Sequence, residues 1–494
     1  MNDCIRKRLT LGAALLFLSP PAFAQTAGVA DDNKRLIDYE KQNSELMNNL
    51  EYLSDMIGPR LTGSARLRKA NDWTAAKMKE YGLENVHLEK WTIPLGWERG
   101  TCEARIIEPN GIPVMAASWA WCPSTKGKVT GPVVLFNPTT DDDYKKFEGK
   151  LKNAIVLFSV PSKPNEHPSR ATPGQRRGMF GTDEVQDADS GQQRRMIDKR
   201  VAFLKKEGAA VTLLDAGKPQ MLLNMSGAWG ADPEQTQRGL PRMVIANEHY
   251  AMLYRLLQHN VPVTMQVEIK NRFIKGPIDV YNTVGEIRGS EKPDEVVLCG
   301  AHLDSWDLGT GSTDNGTGSM VVLETARLIK AAGLKPKRTM RFVLFSGEEE
   351  GLFGSKAYVD AHKDEMDKIS AVFVHDTGTG KTTGIGLHGN PQAQPVFESE
   401  IPVLKELGVT GYGAFLMNGT DHASFYPKGV PAFWFMQDSA DYGLMHHSQS
   451  DTFDKALPDD LIQGATVMAI CAYDVAQRDQ MFPRREMKAD AAKP

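Results

Sequence analysis

His302, Asp314, Glu349, Asp376 and His447 are side chains of the kind that hold divalent cations, and each stands where a predicted strand or loop ends. The densest stretches are Ala-His-Leu-Asp-Ser (301–305), Thr-Asp-Asn-Gly-Thr-Gly (313–318) and Gly-Glu-Glu-Glu-Gly-Leu-Phe-Gly-Ser (347–355), each following a short apolar run. Two histidines and three carboxylates suit two metal ions sharing one carboxylate. Asp314 would bridge through its two oxygens, Glu349 and His447 would complete one position, and His302 and Asp376 the other. Two zinc ions about 3.5–4 Å apart activate a bridging water and hold charge on a tetrahedral intermediate, so the expected chemistry is hydrolysis of a peptide bond.

Glu348 is adjacent to a ligand without being one, which suits a general base that takes the proton from the water and passes it to the leaving amine. Asp304, two residues after His302, is placed to accept a hydrogen bond from the other imidazole nitrogen and fix the tautomer. The chain must turn sharply from Asp314 into a helix start at Gly316-Thr317-Gly318, and a cis Asp314–Asn315 bond is one way to make that turn. Asp421 and His422 are expected near the substrate pocket, with a structural role equally open for His422. His375 and His388 have no assigned partner, and His388 reads as structural. Each piece alone has a plainer reading: Glu348-Glu349-Glu350 as a solvated acidic run, Asp-Asn-Gly as a common turn. Their order and their places at strand ends join them.

The elements that must position these groups follow from hydrophobic periodicity. From 294 onward the pattern is regular: strand 294–301, helix 316–333, strand 338–345, helix 354–365, strand 369–375, and strands near 411–417 and 430–436. Alternating strands and helices predict an α/β fold, a mixed and largely parallel sheet sandwiched by helices. In such sheets ligands bind beyond the carboxyl ends of the strands, where His302, Glu349 and Asp376 fall. Residues 33–57 and 65–82 have helical spacing, separated by the breaker Gly58-Pro59-Arg60-Leu61-Thr62-Gly63. From 115 to 270 short strand-like runs (Val133–Phe136, Ala154–Val160, Ala210–Leu214) alternate with turns, and none is followed by ligand-type residues. This stretch reads as an inserted β-rich domain, flanked by the two parts of the main domain, 25–114 and 271–494. Within it 161–195 has few apolar residues and reads as a long, partly disordered excursion, with Arg176, Arg177, Arg194 and Arg195 as a solvated face.

The balance of 58 basic and 62 acidic side chains gives a net charge of −4, without the excess that nucleic-acid binding would need. Residues 1–24 carry Arg6, Lys7 and Arg8, then an apolar stretch Leu9–Leu18, then Ala22-Phe23-Ala24. This reads as a secretory signal cleaved near Ala24, placing the mature chain outside the cell or in the periplasm with no membrane attachment. Cleavage would remove Cys4 and leave Cys102, Cys122, Cys299 and Cys471. Cys102–Cys122 is the expected bridge, while Cys299 and Cys471 sit in apolar patterns and read as buried thiols.

Asn282-Thr283-Val284, Gly300-Ala301-His302-Leu303-Asp304-Ser305-Trp306-Asp307, Pro336-Lys337-Arg338-Thr339, Glu348-Glu349, His375-Asp376-Thr377-Gly378-Thr379, Gly419-Thr420-Asp421 and His446-His447-Ser448-Gln449-Ser450-Asp451-Thr452 together resemble the M28 family of co-catalytic zinc peptidases, in particular its carboxypeptidase Q branch. Gly58-Pro59-Arg60-Leu61-Thr62-Gly63-Ser64 is similar to that family as well. The insertion resembles a protease-associated (PA) domain through Gly149-Lys150-Leu151-Lys152-Asn153-Ala154-Ile155-Val156. The resemblance implies two zinc ions on His302, Asp314, Glu349, Asp376 and His447, with Glu348 as base. It favours His447 over the neighbouring His446 because the spacing of His447 to Asp451-Thr452 matches the family. Gln449 and Ser450 depart from it, standing where related sequences often carry His and Gly, which bears on substrate preference.

The resemblance points to an aminopeptidase or dipeptidase acting on short unblocked peptides, with the insertion narrowing access or joining a homodimer. Two other classes stay open: a non-catalytic scaffold or receptor, and a single-zinc acyltransferase of the glutaminyl cyclase type. Metal content of two, none or one separates the three. Recognition of a free carboxylate would require Arg or Lys beside the metals, and spacing alone places none.

Overall fold

A computed structural model describes residues 27–163 and 186–485. The expected leader, Cys4, Arg176, Arg177 and the side chain of Arg194 lie outside the described residues. Among the described residues fifteen strands form two sheets. In chain order they are β1 (Glu84–Glu98), β2 (Cys102–Glu108), β3 (Ala116–Ser118), β4 (Val129–Leu135), β5 (Ile155–Leu157), β6 (Val211–Asp215), β7 (Arg242–Ile245), β8 (Thr264–Ile269), β9 (Arg272–Ile287), β10 (Lys292–His302), β11 (Arg338–Phe345), β12 (Ile369–Val374), β13 (Thr382–Gly386), β14 (Gly411–Gly413) and β15 (Ala432–Gln437).

The larger sheet has the order β1-β9-β11-β10-β12-β15-β13-β14. Its centre is parallel, β10 pairing with β11 and β12, and β12 with β15. Antiparallel pairs β1–β9, β9–β11 and β13–β15 make the sheet mixed. Side chains alternate faces along a strand, and in β10 both faces are buried. Val297, Cys299 and Ala301 join the helices Thr317–Ala331 and Pro458–Gln477, while Val296 and Leu298 pack with Tyr358, Val359 and Phe425. That double burial is why these segments read as continuous apolar runs and why the α/β sandwich was legible.

The smaller sheet, β2-β8-β4-β5-β6-β7-β3, has its own core of Ile106, Val133, Leu157, Leu213, Ile245, Tyr250 and Met265. Its strand content begins at Cys102, before the expected boundary at 115. The helix Gln186–Lys206 also corrects the reading of 161–195 as an excursion, because its end of the stretch is regular helix.

In the larger sheet three strands went unanticipated. β1 lies at a sheet edge and buries only its C-terminal half, so its amphipathic alternation is weak. β9 is likewise exposed along its first half, and β13 is short and holds two glycines. The expected helix 354–365 ends at Ala361 and continues as a 3-10 turn, Lys363–Lys368. The expected Cys102–Cys122 bridge is not formed: both are free thiols, and the Cys122 thiol donates to the Arg242 carbonyl at 3.3 Å. Cys299 and Cys471 are fully buried thiols, as expected.

The helix Ala27–Asn43 docks on the main domain through a fully buried carboxyl, Glu40. Burial, and then the charge of Glu324, pushes Glu40 from the ordinary 4.5 up to about 8. A carboxyl whose pKa is raised on folding favours the folded state below its unfolded pKa, and that contribution is lost as pH rises through the folded value. Glu40→Gln keeps the neutral form. Its melting temperature is expected to match wild type near pH 4.5 and exceed it by several degrees at pH 8 and above, measured by thermal melts across that range. A constant difference at every pH would contradict the assignment.

Candidate active site

The rim above the parallel strands collects the candidate residues because of register. His302 ends β10 opposite Phe345, and Gly300 lies opposite Val374, so Asp376, two residues past the end of β12, stands level with His302. His302 Nε2 is accordingly 3.2 Å from Asp376 Oδ1. Glu348 and Glu349 follow β11 on the other side, and Glu348 Oε2 is 4.0 Å from His302 Nε2. The acidic run is no solvated face, since the Glu349 side chain is only 2% exposed.

Asp314 occupies the centre. Its Oδ1 lies 3.5 Å from His302 Nε2, and its Oδ2 lies 3.6 Å from His447 Nε2. His447 also reaches Glu349 Oε2 at 3.0 Å, whereas His446 approaches Asp314 alone, at 3.9 Å. The structure therefore brings together all five residues expected to hold metal, with Glu348 alongside. Asp304 sits beneath them: its carbonyl, more closely than its carboxylate, meets His302 Nδ1 at 3.0 Å, while the carboxylate accepts from Thr62 and from the Glu349 N–H. The Asp314–Asn315 bond is cis.

Asp421 is fully buried, and burial raises its carboxyl to about 7 against the pull of His302, whereas His422 Nε2 meets His388 Nδ1 at 3.0 Å. His375 is fully buried, and burial depresses its imidazole to about 3.

Four supporting residues were missed or underused in the sequence. Arg60 is fully buried and spends its guanidinium on the carbonyls of Leu303, Gly58, Thr310 and Gly311, pinning the loop that joins His302 to Asp314. Asp451 accepts from Thr313 N–H at 2.6 Å and Asp314 N–H at 3.2 Å, fixing the bridging carboxylate from below. Both lie inside motifs that the sequence displays. Tyr442 and Lys218 carry no spacing signal. Tyr442 is buried against Gly378, and burial together with Asp314, Asp376 and Glu349 holds its hydroxyl well above the usual range.

The electrostatics describe a site short of positive charge. Burial, with repulsion from Asp376, Asp421 and Glu349, pushes Glu348 well above the carboxylate range against the pull of His302. Burial and the charge of Asp314 do the same to Glu349. Burial works against a charged His302, but Asp376 and Glu348 outweigh it and raise the imidazole. Asp314 Oδ2 is buried with no hydrogen-bond donor. Carboxylates and imidazoles converging on such an oxygen fit divalent cations, which would relieve the repulsion and satisfy the orphaned atom.

The cluster of carboxylates and imidazoles thus stands at the carboxyl ends of the parallel strands of a mixed sheet, the edge where such sheets bind ligands. Residues 282–471 match the model of Peptidase family M28. Human carboxypeptidase Q is 30% identical over 469 residues, covering 93% of this chain and 92% of that protein. An aminopeptidase of Bacillus subtilis is 24% identical over 499 residues, covering 98% and 96%. Among solved structures, a peptidase M28 precursor from Shewanella amazonensis superposes with a TM-score of 0.74 at 26% identity, covering 93% of this chain and all of that one. A zinc aminopeptidase from Bacillus subtilis shares the fold at a TM-score of 0.61 and 19% identity, covering 91% and 96%. The chain belongs to peptidase family M28, and it is an enzyme.

Proposed function

We propose that this peptidase is a secreted di-zinc exopeptidase that removes residues from the ends of short unblocked peptides, as an aminopeptidase or dipeptidase. The observation that carries the reading is Asp314, whose two oxygens face two different histidines, His302 and His447, at nearly equal distances. Asp376 would complete the position at His302, and Glu349 the one at His447. The names of the relatives, a carboxypeptidase and an aminopeptidase, support action at a chain end and differ over which end. The leader-like residues 1–24 support export, and the smaller sheet is read as a PA-type insertion that narrows access or joins two copies.

Bound zinc ions would supply an acidified water and a polarised scissile carbonyl. Glu348 takes the proton from that water. Its carboxylate, 4.0 Å from His302 Nε2 and outside the five-residue set, would hold that proton and return it to the leaving amine. Asp304 orients His302, Asp451 and Arg60 hold the loop of Asp314, and the packing of Trp306 against the His447 ring at 5.9 Å keeps that side of the site apolar.

Metal analysis of the purified mature chain, with a panel of dipeptides and their N-blocked and C-blocked forms, tests the proposal. About two zinc ions per chain and cleavage lost on N-blocking are expected. One ion, or none with no turnover after zinc addition, would overturn it.

A further inference from the structure

Lys218 enters from the inserted sheet, on the loop after β6, and is only 8% exposed. Its ammonium donates to the Gly443 carbonyl at 2.5 Å, and among the described residues no carboxylate forms an ion pair with it. One acceptor leaves two of its three N–H donors over, an unfavourable state for a buried cation unless something anionic arrives. Gly443 stands four residues before His447, so the ammonium lies against the segment that carries that residue.

The loop carrying it is fastened there. Leu223 N–H donates to Gln449 Oε1 at 2.8 Å, and Gln449 Nε2 donates in turn to the Met221 carbonyl at 3.1 Å. Met225 N–H donates to the His447 carbonyl at 2.8 Å. That last bond ties the inserted loop directly to the backbone of His447, which itself takes the left-handed conformation at φ 59°. Gln449 and the His447 carbonyl thus clasp the inserted loop to the segment that carries His447.

The other cation beside the cluster, Arg60, is spoken for by four backbone carbonyls. In a dipeptide the free carboxylate lies only a few bonds beyond the scissile carbonyl, so its binding group must stand on the wall next to the metals. We infer that Lys218 is the specificity-determining residue that receives the substrate's terminal carboxylate, making the inserted loop part of the substrate site and short peptides with a free C-terminus the preferred substrates. This rests on the peptidase reading above.

The test compares alanyl-alanine with alanyl-alaninamide on the zinc-loaded full chain, for wild type, Lys218→Met and Lys218→Arg. Wild type is expected to favour the free acid. Lys218→Met should shrink that preference about 10- to 100-fold, the size of a lost charge-assisted hydrogen bond, mainly through KM, and Lys218→Arg should restore part of it. Equal losses on both substrates would make Lys218 a brace for Gly443, and an unchanged preference would remove it from the site; either overturns the inference. If Lys218→Met does not fold, a wild type with no preference for the acid, or a Lys218→Arg that shifts acid and amide alike, overturns it. If wild type turns over neither compound, the peptidase reading fails separately, and calorimetric binding of the same two compounds to wild type and variants still decides whether Lys218 reads a carboxylate.

Discussion

Replacing Asp314 with Ala is expected to empty both metal positions and lower kcat/KM by at least about 10³-fold, because the change removes the one carboxylate that both positions would share. The size follows from geometry. Asp314 Oδ1 and Oδ2 lie 3.5 and 3.6 Å from His302 and His447, so no neighbouring side chain can stand in for both contacts. The carboxylate is also buried and held through its own N–H by Asp451, which leaves little freedom for repair. Metal analysis after dialysis against micromolar zinc, beside kinetics on a dipeptide, measures both effects. Retention of two ions with near-normal turnover would show that Asp314 is not shared.

Glu348→Gln separates proton transfer from metal binding. It is expected to lower kcat by about 10²–10⁴-fold while leaving zinc content and KM close to wild type, since the side chain approaches His302 only at 4.0 Å and lies outside the five-residue set. The amide keeps the volume and loses the ability to take a proton. Single-turnover kinetics with parallel metal analysis distinguish this from a folding defect. A variant that loses zinc in proportion to its activity would make Glu348 a ligand and not the base.

Much of this protein was legible in the sequence because parallel central strands are buried on both faces. The stretches 296–301, 342–345 and 371–374 at the carboxyl halves of β10, β11 and β12 are wholly apolar, and the polar residues that follow them at 302, 348–349 and 376 stand out at the carboxyl edge. Local pattern therefore determined the α/β class, the rim and the identity of the five clustered residues. It also indicated the buried Cys299 and Cys471. Local pattern misled where the outcome depended on neighbours: β1 is stabilised by pairing with β9 and not by its own alternation, and Cys102 and Cys122 stand as free thiols.

Only the tertiary structure decided which groups act on which. His446 and His447 are adjacent in sequence and both stand with Asp314, but His447 also reaches Glu349 at 3.0 Å. His422 follows Asp421, yet the fold sends its hydrogen bond to His388. Arg60 and Lys218 reach the rim from segments far away in the chain, one from before the first sheet and one from the inserted sheet. The physical reason is common to these cases. A strand's period of two and the break at its end are local properties of the chain, whereas the partner of a buried charge is chosen by packing between elements remote in sequence.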